Sequence, residues 1–265
     1  MIKAIFMDLD GTLLRENGKI SKHTKTVLKR LNSKGIEYFI ATGRPLQLLK
    51  GIVHDLDYDK EMITMNGSVI IQSKSHAIVY KKTIDQTILQ TILSKALNEK
   101  YLIMLYGEHA IYSDDNERVH YFKKQFNTRP KSEHPNFLPL EDYNGEEISK
   151  VLIVEHDQNK YNRFKLFASK FNVSIVSSQS GFLDINPINV SKGKAIDAIS
   201  KKYHFNKNEI IAFGDQENDV TMKQYVDTFI AMANATDHVK EVADEVTLTN
   251  KEDGVARWIE SHILY

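Results

Sequence analysis

The sequence opens MIKAIFMDLDGTLL (residues 1–14), an apolar run in which only Lys3 is charged, ending in two aspartates two positions apart, Asp8 and Asp10. Residues 2–7 read as a short buried strand, because a continuous apolar run of this length bounded by turn residues fits a strand covered on both faces. One aspartate suffices to turn a chain out of a sheet. Two, backed by Gly11 and Thr12, exceed what a strand end needs.

The pattern repeats outward from there. Ser21 is placed to cap a helix with Val27, Leu28 and Leu31 on one face and Gly35 as its stop. A second strand, IEYFIAT (residues 36–42), ends in Thr42, Gly43, Arg44 and Pro45, where the proline suits the first turn of a helix carrying Leu46, Leu49, Val53 and Leu56. A third run, MITMNG, ends at Asn66 and Gly67, and SVIIQ with HAIVYKK reads as a hairpin. Strand and helix alternating in this way predict βαβ units and a parallel sheet.

Between residues 83 and 186 the pattern changes to two rounds of helix, strand and strand, predicting an α+β insert with an antiparallel sheet. Residues 127–147, with three of the chain's five prolines, read as a loop. After Pro187 the alternation returns through SKGKAIDAISKKYH, EIIAFGD, ENDVTMKQYV and TFIAMA to a closing helix through Trp258. The expected organisation is one α/β core, residues 1–82 and 187–265, interrupted by residues 83–186.

Composition narrows the function. In 265 residues, 35 basic and 35 acidic side chains cancel, so no global field favours nucleic acid or an anionic membrane. The absence of cysteine excludes disulfides, thiolate metal sites and a cysteine nucleophile. With no signal-peptide-like start and no run of 18 apolar residues, a soluble cytoplasmic protein is expected. The ten histidines show no metal-binding spacing and are left with structural roles.

In open α/β sheets ligands bind beyond the carboxyl ends of the strands. Three strand ends here carry polar clusters: Asp8 with Asp10; Thr42, Gly43 and Arg44 at a helix start; and Asp215 followed by Asn218 and Asp219. Carboxylates crowded into one crevice are unfavourable without a cation, and a hard oxygen ligand set suits magnesium. Lys192, in SerLysGly at a helix start, is a further positive charge able to offset a phosphoryl group. Each cluster taken alone also fits an ordinary turn, cap or exposed loop.

Together, AspLeuAspGlyThr (Asp8 to Thr12), Thr42 with Gly43 and Arg44, AsnGly at Asn66, Lys192, and GlyAspGlnGluAsnAsp (Gly214 to Asp219) resemble the haloacid dehalogenase superfamily of phosphohydrolases, in its Cof-like branch. Gln216 and the alanines of AlaMetAlaAsnAla (Ala231 to Ala235) depart from the commoner residues of that branch, without touching a group that performs chemistry. The resemblance implies a Rossmann-like core with an inserted α+β cap covering the catalytic face. It implies that Asp8 is the nucleophile and Asp10 the acid and base. It also implies magnesium on Asp8, the Asp10 carbonyl and Asp215, supported by Asp219. The phosphoryl oxygens would meet the Leu9 and Gly43 N–H groups, Thr42, Lys192 and Asn218, with Arg44 and Asn66 in supporting places. The expected substrate is a small phosphorylated metabolite, sugar phosphates first and phosphorylated cofactors such as pyridoxal phosphate or FMN next, handled by a monomer or weak homodimer. A phosphomutase and a phospho-aspartate switch are the alternatives, and an oligomerisation role is the alternative for the insert.

Overall fold

The computed structural model describes every residue except 115, 127–130, 132, 133 and 265. Its larger sheet has eight strands, ordered β14 (Glu245–Val246), β13 (Thr228–Ala231), β12 (Ile210–Gly214), β1 (Ala4–Met7), β2 (Glu37–Ala41), β3 (Glu61–Thr64), β4 (Val69–Gln72) and β5 (Ile78–Lys81). The run from β14 to β3 is parallel, and β4 and β5 are antiparallel additions forming the expected hairpin.

The opening strand lies at the centre because both of its faces are apolar. Ile5 and Met7 pack with Val27, Leu28 and Leu31 of α1 (Lys22–Ser33) and with Trp258 and Ile259 of α8 (Gly254–His262). Ala4 and Phe6 pack on the other side with Ile196 and Ile199 of α6 (Lys192–Tyr203). The Ser21 hydroxyl caps α1 by accepting the Thr24 N–H, as its position predicts.

The insert contributes a second, six-stranded sheet, ordered β10 (Val173–Val176), β11 (Phe182–Pro187), β9 (Lys150–Val154), β6 (Leu102–Tyr106), β7 (Ile111–Tyr112) and β8 (Phe137–Leu138). All pairings are antiparallel except β7 with β8. Helices α3 (Gln86–Asn98) and α5 (Gln158–Ala168) cover one face through Leu89, Ile92, Ala96 and Phe164, which meet Ile103, Leu105, Val151 and Ile153. Residues of opposite parity on the strands, Met104, Tyr106, Leu152 and Phe182, join the apolar cluster of the larger domain instead. The period-two alternation thus turns the uncovered face of the inserted sheet onto the α/β core. The two connections meet where Lys82 Nζ donates to the Ile188 carbonyl at 2.7 Å.

Three local expectations change. The segment ENDVTMKQYV forms a 3-10 run, Val220–Tyr225, rather than an α-helix, because Asp219 folds its side chain back onto the preceding turn instead of opening a regular helix. Pro45 precedes a 3-10 turn, Leu46–Leu48, before α2 (Lys50–Leu56) begins. The expected loop at 127–147 contains β8 and a 3-10 turn, Leu140–Asp142, while residues 127–130, 132 and 133 lie outside the described residues. Helix α4 (Glu117–Phe126) lies in the insert and helix α7 (Asp237–Val242) follows β13. Among the described residues, no helix is long and apolar enough to cross a membrane.

Candidate active site

Asp8, Thr42 and Asp215 each stand one residue beyond a parallel strand, β1, β2 and β12 respectively, so strand register alone brings them to one edge. Asp8 is held there by its N–H, which donates to the Phe213 carbonyl at 3.1 Å. Leu9 sends its fully buried side chain into the core, leaving the turn to be lined by backbone. At Gly11 φ is +82°, and a Cβ would stand 2.2 Å from Asp215 Oδ2, so only glycine admits the aspartate. Thr12 closes the same contact by donating to Asp215 Oδ1 at 3.0 Å.

The carboxylates of Asp8, Asp215 and Asp219 are all buried, with ligating atoms within 4.8 Å of one another. The fully buried Lys192 ammonium lies 2.5 Å from Asp8 Oδ1 and 2.6 Å from Asp219 Oδ1. Asp219 is otherwise engaged, since its Oδ2 accepts the N–H groups of Asp215 and Gln216 at 2.9 and 3.0 Å. Asp219 therefore braces the loop and the lysine; Asp8 opens on the cleft, while Asp215 accepts from Thr12 on Oδ1 and from the Gln216 side-chain amide on Oδ2 at 3.0 Å.

Charge in this cluster does not balance. Three carboxylates against one ammonium leave a formal excess of two negative charges. Burial pushes the Asp8 carboxyl well above the usual range; Lys192 opposes the rise, but Asp219, Asp215 and Asp10 add to it. Asp215 is pushed up to about 7, again by burial first and by Asp219 second. Burial alone would lower Lys192, yet Asp219 and Asp8 hold it above its ordinary value, so it stays an ammonium. A divalent cation on Asp8 and Asp215 would cancel the excess, and an all-oxygen donor set fits magnesium. The residues present thus fit the metal.

Thr42 is buried, and its hydroxyl accepts the Arg44 N–H at 3.1 Å, shaping the turn that carries Gly43. Asn66, in left-handed backbone with φ 58°, accepts the Asn218 amide at 3.0 Å. This leaves Asn66 Nδ2 and Asn218 Oδ1 buried without a hydrogen-bond partner. Arg44, expected only in a supporting place, forks onto Asp10, with Nε 2.7 Å from Oδ2 and Nη2 2.6 Å from Oδ1.

Asp8, Asp10, Gly43, Arg44 and Asn218 line a narrow cleft of about 50 Å³, roofed by Tyr106, Lys150, Leu152, Ser178, Gln179 and Phe182 of the insert. Sequence reasoning missed every roof residue, and it read Thr12 as part of the turn rather than as a donor to Asp215. One signal was available: a lysine opening the otherwise apolar run of β9 marks a position facing away from the insert's own core.

Residues 5–259 match the haloacid dehalogenase-like hydrolase family. The putative phosphatase YkrA of Bacillus subtilis is 28% identical over 254 residues, covering 96% of this chain and 95% of that protein. The 5-amino-6-(5-phospho-D-ribitylamino)uracil phosphatase YcsE of the same organism is 26% identical over 263 residues, covering 99% and 96%. Among solved structures, a sugar phosphatase of HAD subclass IIB superposes with a TM-score of 0.84 at 25% identity, covering 98% of each chain.

Proposed function

The chain belongs to the haloacid dehalogenase-like hydrolases, and from that premise we propose that it is a magnesium-dependent cytoplasmic phosphatase of small phosphate monoesters, sugar phosphates first. The observation that carries the reading is the buried pair of carboxylates, Asp8 and Asp215, with Lys192 paired to Asp8 and with Asp8 and Asp10 lining one cleft. Asp8, Asp215 and the Asp10 carbonyl would hold magnesium, which when bound would neutralise charge on the phosphoryl oxygens.

The protein's own groups would then divide the work. An Asp8 carboxylate oxygen attacks phosphorus in line, the bond to the leaving oxygen breaks, and an acyl phosphate forms on Asp8. Asp10 gives its proton to the leaving oxygen and later takes one from the water that attacks the acyl phosphate, so inorganic phosphate leaves and both aspartates are restored. The Leu9 and Gly43 N–H groups, Thr42, Asn218 and Lys192 surround the transferred group. Because Arg44 grips both oxygens of Asp10, the acid step requires Arg44 to release one of them as substrate enters.

Residues 83–186 act in this reading as a cap that closes on the site and excludes water, pivoting at the Lys82–Ile188 contact. The fit of a sugar-phosphatase neighbour and of relatives named as phosphatases supports the substrate class. The test is phosphate release from a panel of sugar phosphates, pyridoxal phosphate, FMN and 5-amino-6-(5-phospho-D-ribitylamino)uracil, with magnesium and with chelator. Turnover that persists in chelator, or in Asp8→Asn, would remove the mechanism.

A further inference from the structure

Among the described residues, six of the insert lie over Asp8 and Asp10, and of these Lys150 alone carries a charge. It is only 5% exposed, and its ammonium touches three things. Asp184 Oδ1 of β11 is 2.5 Å away, the Gly43 carbonyl of the core accepts at 3.1 Å, and the Tyr106 ring lies beneath, 5.2 Å to its centroid. Asp184 is wholly buried, and neither of its oxygens has a directional hydrogen bond.

A buried ion pair with so little hydrogen bonding is a poor device for stability, since an apolar pair of like volume would serve the fold as well or better. On the cleft side Leu152 stands beside Lys150 on β9 and Phe182 on β11, with Ser178 and Gln179 as uncharged polar members of the roof. What the pair does achieve is to put a strong N–H donor on the leaving-group side of the cleft while cancelling its net charge. Such a donor favours an uncharged acceptor oxygen. A second anion would meet Asp184 as well as Lys150, and would gain little from the pair as a whole.

We propose that Lys150 is a specificity-determining residue that hydrogen-bonds an uncharged oxygen of the leaving group, a hydroxyl or carbonyl of a sugar or polyol, and that Asp184 sets this preference against doubly anionic substrates. The inference rests on the phosphatase reading and adds to it the residue that chooses among esters.

Three esters separate the possibilities: glycerol 3-phosphate, with neutral hydroxyls; 3-phosphoglycerate, with a carboxylate in place of one; and phenyl phosphate, with no acceptor on its leaving group. The wild-type protein is expected to prefer glycerol 3-phosphate to 3-phosphoglycerate. In Lys150→Met the kcat/KM ratio of glycerol 3-phosphate to phenyl phosphate should fall at least about tenfold, as expected for losing a hydrogen bond from a charged donor. Lys150→Gln, which keeps a neutral donor, should recover part of that ratio. Asp184→Asn, leaving the ammonium uncompensated, should shift preference toward 3-phosphoglycerate by at least about fivefold. Equal losses on glycerol 3-phosphate and phenyl phosphate in Lys150→Met would overturn the inference, because a lysine that merely steadies Gly43 affects every ester alike. An unmoved ratio would overturn it too. If wild-type protein releases phosphate from none of the three and from no ester of the panel above, the phosphatase reading fails and takes the inference with it; turnover of panel esters with none of glycerol 3-phosphate overturns the inference alone. Turnover abolished by Asp8→Asn, with a ratio indifferent to Lys150, removes the inference alone.

Discussion

The ammonium of Lys192 sits 2.5 Å from Asp8, with no exposure to solvent and with Asp219 at 2.6 Å on its other side. Removing it leaves two buried carboxylates facing each other without a counter-charge. Lys192→Met should therefore cost about 3–5 kcal/mol of stability, a cost typical of breaking a buried ion pair on one side. At roughly 2–4 °C per kcal/mol, melting should fall by about 10 °C, and calorimetry in chelator reads it directly. Magnesium should recover part of the loss, since it supplies positive charge to the same oxygens. A melting temperature equal to wild type in chelator would contradict the charge imbalance inferred here.

Asp8→Asn separates chemistry from folding. The amide keeps the size of the side chain and an oxygen for Lys192 to donate to, but it is a far poorer nucleophile. Turnover should drop by about a thousandfold or more, as for other nucleophile replacements, while melting in chelator stays near or above wild type because one repelling charge is gone. Phosphate release and thermal denaturation on the same preparation check both halves.

Raised carboxyl values make the metal-free protein sensitive to pH in a stated direction. Asp215 is pushed up to about 7, and Asp8 is also raised well above its ordinary value. Between the unfolded value near 4 and that raised value, the folded state binds more protons than the unfolded state, so stability falls as pH rises. Melting in chelator should decline from pH 5 to pH 7.5. Magnesium should reverse the decline, stabilising more at pH 7.5 than at pH 5, because protons compete with it for the same oxygens. A flat or rising profile in chelator would count against the shifts.

Much of this site could be read before the structure, and the reason is positional. Asp8, Thr42 and Asp215 each end an apolar strand, so a sequence pattern of strand and polar cluster already places them at one sheet edge. The βαβ order and the interruption between residues 83 and 186 follow from the same alternation. What periodicity could not convey was the facing of the insert. Tyr106, Leu152 and Phe182 look like ordinary core residues in sequence, and they do bury, but against the other domain. The Arg44 fork onto Asp10 was hidden for another reason. Arg44 and Asp10 lie 34 positions apart, and no local rule says which carboxylate an arginine at a helix entry will choose. The 3-10 run at Val220–Tyr225 was lost to a tertiary demand, the return of Asp219 to the N–H groups before it.

The Gly11 turn gives a sterically sharp prediction. A methyl group at residue 11 would stand 2.2 Å from Asp215 Oδ2, and the backbone there holds φ at +82°, where alanine is strained. Gly11→Ala should cost about 1–3 kcal/mol of stability and push the Asp215 carboxylate away from its place beside Thr12. Since Asp215 is a proposed metal ligand, the magnesium concentration for half-maximal activity should rise by at least about tenfold, with a smaller loss of kcat at saturating metal. An unchanged magnesium requirement would mean that Asp215 does not hold the cation.

Arg44 tests the control of the acid and base. Its guanidinium is nearly buried, with 11% side-chain exposure, and spends two N–H groups on Asp10. Lysine keeps the charge but loses the planar fork, so it can satisfy only one oxygen at a time. If the planar guanidinium still orients Asp10 through the one oxygen it keeps during proton transfer, Arg44→Lys, whose ammonium gives that hold no fixed direction, should lower kcat by about tenfold or more while leaving magnesium activation close to wild type, since Asp8 and Asp215 are untouched. The effect should depend on the leaving group. An ester of a poor leaving group, such as a sugar phosphate, needs the proton in the transition state; a nitrophenyl ester needs it far less. The ratio of the two turnover rates in Arg44→Lys therefore separates a disturbed acid from a disturbed phosphate site. A loss confined to the sugar ester assigns the fork to Asp10, whereas equal losses on both place Arg44 on the phosphoryl group instead.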